Sequence, residues 1–337
     1  MITNTLDQGL LNLYDPGGVK YSGHSLITGA STARSIIIFK PGSHFRANGV
    51  RLRGNGKPHL MRFEGGDHEI YNGLQIGEGA SNAGYTNIVE VTGGQLSLPA
   101  GTLYIGGGKA DSYGELSISG DGAVNTENQI LMSAPYSSSS ASLQLSGTGS
   151  LSAGTYIDVA YTSSSAATVS MAESASLSAA SNLAIARGNN SVASMDMTDQ
   201  STTYIGGDLL IGGYSGSDGT LSIRDDSTLT VDGDFTVGAD SGTGRLELHG
   251  GQLIARKVTG DASGQSELYA NGGTLLADNI SASVNLLEDF NLAALGNAGL
   301  TIDSAGYDIV IDQNFADADS SEGLFIKKGA GTLILLH

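Results

Sequence analysis

Three groups of residues in this chain have types and spacings that could do chemistry. The first is basic and lies early in the sequence: Arg51, Arg53 and Arg62, with His44, His59 and His68 close by. An outward arginine can meet an acidic glycan, and beside calcium-binding carboxylates it can abstract the proton α to a uronate carboxylate. Residues 1–60 offer only Asp7 and Asp15 as carboxylates, which is thin for such a site. Hydrolysis would instead need paired carboxylates. The nearest cluster is Glu64, Asp67, Glu69 and Glu78, whose spacing permits that role without specifying it. The plainer alternative, and the one adopted, is a basic cap that solubilises one end or pairs with a neighbouring acidic molecule.

The second group is aromatic. Tyr136, Tyr161 and Tyr214 recur two to four residues after a predicted strand, and Tyr85 and Tyr113 fall further along equivalent loops. Such an edge could stack on sugar rings, because an aromatic face is a flat contact surface; tyrosines that simply pack their own loops are the alternative. The third group is acidic. Asp225, Asp226, Asp232, Asp234 and Asp240 could offer calcium its several oxygen ligands. No glycine-rich nonapeptide calcium pattern accompanies them, and Asp is common in turns. Gly106-Gly-Gly-Lys109 has the look of a phosphate loop but lacks the Ser or Thr that should follow the lysine.

The elements that must position these residues are repeated strands. In Gly219–His249 the segments Leu221-Ser-Ile223, Leu229-Thr-Val231 and Phe235-Thr-Val237 each flank one polar residue with two apolar ones. That period of two marks a strand with one buried face. One such unit cannot bury its apolar face alone, whereas stacked copies can. The first inward residue recurs as Met61, Val89, Leu116, Leu143, Val169, Met195, Leu221, Leu246 and Leu268, at intervals narrowing from 28 to 22 residues. The second follows two positions later, from Phe63 and Val91 through Ile223 and Leu248 to Ala270. A third strand recurs from Leu74/Ile76 to Phe235/Val237, and a looser middle strand is marked by Leu96, Val124, Leu151, Leu177 and Leu229. In the third-strand row, Arg51 should point outward beside Gln75, Tyr104 and Asp158. Gly-Gly pairs at 65–66, 93–94, 250–251 and 272–273 share one phase, as a turn needing positive φ would select. Outward ladders of Ser and Thr read as solvated strand faces.

Composition agrees with tight turns around a narrow core: 50 glycines, no tryptophan and only 15% charged residues in a chain of 337. The absence of cysteine excludes a disulfide framework and thiolate metal sites. A net charge of −18 argues against nucleic acid as a partner. The charge is uneven, because residues 1–60 carry seven Lys and Arg against two Asp. No run of 18 apolar residues could span a membrane as a helix. The opening MITNTLDQGLLNLYD has neither the basic nor the apolar region of a signal peptide, so an exported protein would carry that signal elsewhere.

Three regions follow. Residues 1–53 are an N-terminal cap and first irregular coil, since 1–33 show no clear register. Residues 54–281 are a regular β-helix. Residues 282–337 continue it after a break at Val284–Phe290, with inward pairs Leu300/Ile302, Ile309/Ile311, Leu324/Ile326 and Leu333/Leu335. Here Gly323-Leu-Phe-Ile-Lys-Lys-Gly-Ala-Gly-Thr-Leu-Ile-Leu-Leu336 resembles the signature of autotransporter-associated β-strand repeats, and Gly299–Ile311 resembles what leads into it. The coils around Gly207–Ile223 and Gly233–Leu248 are similar to the glycine-rich passenger repeats of the same bacterial surface proteins. The resemblance implies a secreted or outer-membrane-displayed passenger and supplies no catalytic residues.

These readings predict an all-β chain, a right-handed parallel β-helix or β-solenoid with three strands and about 26 residues per coil. The expected role is a non-enzymatic bacterial surface or secreted passenger, adhesin-like and structural, with no cofactor or metal. Its partners would be glycans, a host or neighbouring cell surface, or further copies meeting through solenoid ends. The alternative is a carbohydrate-active enzyme or glycan-binding β-helix. For either, the candidate glycan contacts are Tyr136, Tyr161, Tyr214, Arg51 and Arg62.

Overall fold

The computed structural model describes residues 2–6, 9–13, 25–28, 35–52, 58–77, 86–107, 110–278, 285–318 and 323–336. Among these every regular element is a strand, and parallel stacking makes a β-solenoid of about 11 turns with roughly 26 residues per coil. The chain divides into two compact units, residues 1–170 with 174–177, and residues 171–173 with 178–337.

In the first unit the inward columns form in the register that alternation predicts. Met61 pairs with Val89, Val89 with Leu116 and Leu116 with Leu143, while Phe63, Val91, Ile118 and Leu145 form the column beside it. All eight are buried. The third strand stacks Val50, Leu74, Leu103, Ile130 and Ile157. The middle strand stacks Phe45, His68, Leu96, Val124 and Leu151. Each parallel step is about 4.8 Å, so every backbone N–H and C=O between coils has a neighbour to bond while the side chains fill the interior.

The early segment expected to be without register carries strands of its own. Ile2–Leu6 pairs with Ser35–Phe39, Gly9–Leu13 with Ser43–Ala47, and Ser25–Thr28 with Gly49–Leu52. Their weak alternation explains why the repeat is hard to read there. In the third-strand row, Arg51 pairs with Gln75 and Gln75 with Tyr104, as expected, and Arg51 is exposed, but Asp158, expected outward in the same row, is buried.

The Gly-Gly phase is a corner where first and second strands join. Gly66 and Gly94 sit at φ +90° and +72°, and a Cβ on Gly94 would lie 2.3 Å from the carbonyl oxygen of Gly66. Only glycine meets both demands. Further corners place ordinary residues at positive φ. After the third strand these are Ser133 and Ala160 in the first unit and Ala186 in the second. After the first strand of the second unit they are Glu173, Asp199 and Asp225.

One row of serines lies in the turns, apart from the outward strand-face ladders. Ser139 and Ser165 in the first unit, and Ser191 and Ser217 in the second, are buried at the turn before the first strand. Each hydroxyl donates to the carbonyl three residues back, on Tyr136, Thr162, Gly188 and Tyr214 respectively, at 2.5–2.9 Å. The side chain closes the turn and gives its own buried hydroxyl a hydrogen-bond partner.

In the second unit Met195, Leu221, Leu246 and Leu268 stack, as do Leu183, Leu209, Phe235 and Val258. Two expectations about its later part are corrected. Within the stretch read as a break, Asn285–Glu288 is a third strand, pairing with Val258–Thr259 and Ile309–Asp312 through a register shift at Asn285/Leu287. The shift breaks the alternation without breaking the stack. The next second strand is Phe325–Lys328, with Phe325 opposite Leu300 and Lys327 opposite Ile302. Phe325 and Lys327 therefore hold the inward register assigned to Leu324 and Ile326, a slip of one residue that exchanges faces. Leu333 and Leu335 do stand opposite Ile309 and Ile311.

Candidate functional site

Arg51 and Arg62 lie on different strands of the coil, the third and the first, and share no partner in the strand register. Arg62 donates to Glu90 of the next coil, and its other end is 3.8 Å from Glu64, which Lys40 binds at 2.6 Å. The hydrogen bond to Glu90 raises the Arg62 pKa above its ordinary value. So carboxylates do gather beside Arg62, but Glu64 and Glu90 are engaged by cations. Glu115, one coil further, is different: burial, and then the charge of Glu90, push its carboxyl upward. Arg53 and Glu78 lie outside the described residues.

Two of the histidines, His68 and His44, have neighbours of their own. His68 is an inward residue, its ring packed on those of Phe39 and Phe63. His44 is on the exposed side, with Nδ1 3.3 Å from the carbonyl of Asp67.

The tyrosines follow the third strand, but not in one row. Tyr136 is three residues beyond the positive-φ residue Ser133, whereas Tyr161 directly follows Ala160. The carbonyl of Tyr136 accepts from Ser139 and, at 2.8 Å, from Thr162, so its loop is tied to the coil of Tyr161. Tyr214, in the second unit, is two residues beyond Gly212, and its carbonyl closes the Ser217 turn. The rings of Tyr136 and Tyr214 are exposed. Tyr113 is half-buried at the start of a first strand, and Tyr85 lies outside the described residues.

The aspartates are dispersed over three corners. Asp225 accepts the backbone N–H of Asp199, and Asp199 that of Glu173. At the next corner Asp208 accepts the N–H of Asp234 and Asn182 that of Asp208. These carboxylates are bound to the backbone of neighbouring coils, and no set of three metal-ligating side chains converges among the described residues. Gly106 likewise donates its N–H to Ile76, so it is not free to cradle phosphate, and residues 108–109 are outside the described set.

Two depressions of the second unit bring polar and aromatic groups together. On the outer face of the first strands, about 240 Å³ is lined by Arg245, Glu247, Glu267, Tyr269 and Leu292. Its charges are mutually satisfied. Arg245 holds Glu267 at 2.7 Å, and Glu247 is contacted by Ser222 at 2.7 Å and Arg224 at 3.4 Å. His249 packs on Tyr269, ring centroids 5.3 Å apart.

The larger depression, about 360 Å³, lies at the corner after the second strand and is lined by Val231, Asp232, Arg256, Asp278 and Tyr307. Asp232 accepts the hydroxyl of Tyr204 at 2.5 Å, and Arg256 donates to Asp234 at 2.6 Å. The hydrogen bond to Asp232 raises the Tyr204 pKa above 10.0. Sequence reading singled out Asp232 and Asp234 only as calcium candidates and missed Arg256, Asp278, Tyr204 and Tyr307. The signal available was phase: Asp232, Arg256 and Asp278 each directly follow the second strand of successive coils. Comparison of the chain with protein-family models, curated proteins and solved structures found no match.

Proposed function

We propose that this chain is a non-enzymatic structural passenger, adhesin-like, working on a bacterial surface or after secretion. The observation that carries the reading is how its outward charges are spent. Arg62 with Glu90, Arg224 with Asp196 and Arg245 with Glu267 join neighbouring coils. Such groups hold a stack together and leave few reactive side chains in waiting. The autotransporter-like motif fits this reading too, since its two strands, Phe325–Lys328 and Leu333–Leu336, add to the preceding coil in register. Further copies are the expected partner of any strand edge left unpaired at a solenoid end.

One observation favours a second reading, a carbohydrate-active enzyme. Glu115, whose carboxyl burial and then the charge of Glu90 push upward, stands one coil from Glu90, which Arg62 binds. Carboxylates whose environments diverge in this way can divide acid and base roles. The deciding experiment incubates the purified chain with acidic and neutral polysaccharides, with and without calcium, following unsaturated products and new reducing ends. The structural reading expects neither. Cleavage that disappears in Glu115→Gln or Arg62→Ala would replace it with the enzymatic one.

A further inference from the structure

We infer that the corner depression of the second unit, formed by Asp232, Arg256, Asp278 and Tyr307 with Tyr204 at its margin, is a binding site for a neutral saccharide. The inference rests on the chemistry of these groups and goes beyond the proposed role of the protein.

Four residues of the depression come from four successive coils, because Val231 pairs with Ala255, Ala255 with Ala277, and Leu276 with Asp303 ahead of Tyr307. Three steps of about 4.8 Å give an opening on the order of 14 Å along the stack, suited to a short oligosaccharide more than to a single ring. Its two ends are aromatic. Tyr204 is 47% exposed although its hydroxyl is anchored on Asp232, so the ring is held while its surface stays open to a ligand. Tyr307 lines the depression directly. A tyrosine face gives a sugar ring a flat apolar contact at low entropic cost.

The polar groups suit hydroxyls. Asp278 has no partner within the described residues and presents a carboxylate at the surface, while Asp232 engages Tyr204 through one oxygen. Carboxylates accept short, strong hydrogen bonds from hydroxyl donors. Arg256 is fixed by one N–H on Asp234, and its remaining donors can serve hydroxyl acceptors. The charge balance selects among saccharides: Asp232, Asp234 and Asp278 outnumber Arg256, so a uronate or other acidic sugar is repelled. A calcium site is disfavoured because no set of three ligating side chains converges among the described residues, whereas calcium takes six or more oxygens. The first-strand depression is a poorer host, since its Arg and Glu side chains already satisfy one another.

The test is calorimetric titration of the full chain with tetrasaccharides of glucose, of mannose and of N-acetylglucosamine, with a tetragalacturonate as the acidic probe. Tyrosine emission gives a second readout that no tryptophan obscures. The expected result is saturable binding of at least one neutral probe, weakened roughly tenfold or more in Asp278→Asn and in Tyr307→Ala. Binding should be unchanged in Val192→Ala, which alters an exposed first-strand side chain outside the lining of the depression. Both site residues are at the surface, and matched circular dichroism melts confirm that the variants fold. Absence of binding by every neutral probe overturns the proposal, as does binding that survives both site variants. Preference for the galacturonate overturns the charge argument on which the site was chosen. Calcium or a lysine-rich peptide binding in an Asp278-dependent way, with no sugar bound, assigns the depression to that ligand instead. None of these outcomes bears on polysaccharide cleavage, so failure here is distinguishable from failure of the structural reading.

Discussion

The ring of His68 lies 4.7 Å, centroid to centroid, from the ring of Phe63, and both side chains are buried in the first unit. Nδ1 of His68 accepts the backbone N–H of Phe45 at 3.1 Å, and Nε2 donates to the carbonyl of Gly65 at 2.8 Å. Those two bonds use both nitrogens of a neutral imidazole, in the Nε2–H tautomer. A second proton would turn Nδ1 into a donor facing another donor.

This arrangement predicts a loss of stability in mild acid. Burial, then the nearby charge of His44, lower the His68 pKa from 6.5, against the opposing pull of the Gly65 carbonyl and Asp67. The unfolded chain therefore binds more protons than the folded one in the window below 6.5. His68 contributes stability above that value and loses the contribution as pH falls toward its folded pKa. Thermal melts between pH 8 and pH 5 should show a falling midpoint, with a shallower slope in His68→Leu. Equal slopes in the two proteins would remove His68 as the cause. The variant should also be less stable at pH 8, since it strands the Phe45 N–H and Gly65 C=O, at a cost of about 1–3 kcal/mol.

The serine turns make a sharper local prediction. Ser217 donates its hydroxyl to the Tyr214 carbonyl at 2.6 Å and accepts the Tyr214 N–H at 3.1 Å. Replacement by Ala removes both while the Ser217 N–H still reaches that carbonyl. A loss of about 1 kcal/mol is expected in denaturant unfolding. Ser215→Ala, two residues away and exposed, should change little. Equal effects from the two would mean that the buried hydroxyl is not the stabilising feature.

At Gly94 the backbone itself sets the demand. Alanine there would combine a φ of +72° with a Cβ 2.3 Å from the Gly66 oxygen, so the coil must shift. Gly94→Ala should destabilise the first unit by about 1–3 kcal/mol or more. Gly42→Ala is the comparison, because its φ is +82° but no atom lies within 4 Å of the added methyl. The difference between the two variants reports close approach separately from backbone conformation. Equal losses would leave the Gly66 contact without consequence.

What was legible in the sequence follows from the same physics. Columns such as Met61–Val89–Leu116 repeat one demand, an apolar residue in a narrow interior, often enough to be read from letters alone. The Leu324-Phe-Ile326 register was misread because three consecutive apolar residues fit either face, and the inward partner of Ile302 proved to be Lys327. The serine row went unread because a turn-closing hydroxyl and a solvated one share the same letter. The sequence showed few carboxylates near Arg62, because its partner Glu90 comes from the next coil, 28 residues away. The corner depression was invisible for that reason. It is assembled from one unremarkable residue per coil, and only the register of the stack brings Asp232, Arg256 and Asp278 to one corner.

That corner also yields a prediction that requires no ligand. Tyr204 donates its hydroxyl to Asp232, and ionising the phenol would break the bond and set two negative charges together, which is why its pKa rises. An ultraviolet titration of the intact chain, from which the curve of Tyr204→Phe is subtracted, isolates this phenol among the 13 tyrosines. Its ionisation should fall above 10.0, and in Asp232→Asn it should return toward 10.0, because the amide oxygen still accepts but carries no charge. Removal of the carboxylate with no change in the titration would show that the ring is not anchored, and would leave it free to turn away from the depression. A downward shift in Asp232→Asn shows instead that the anchor persists in solution, with the face of Tyr204 held open at the margin of the site.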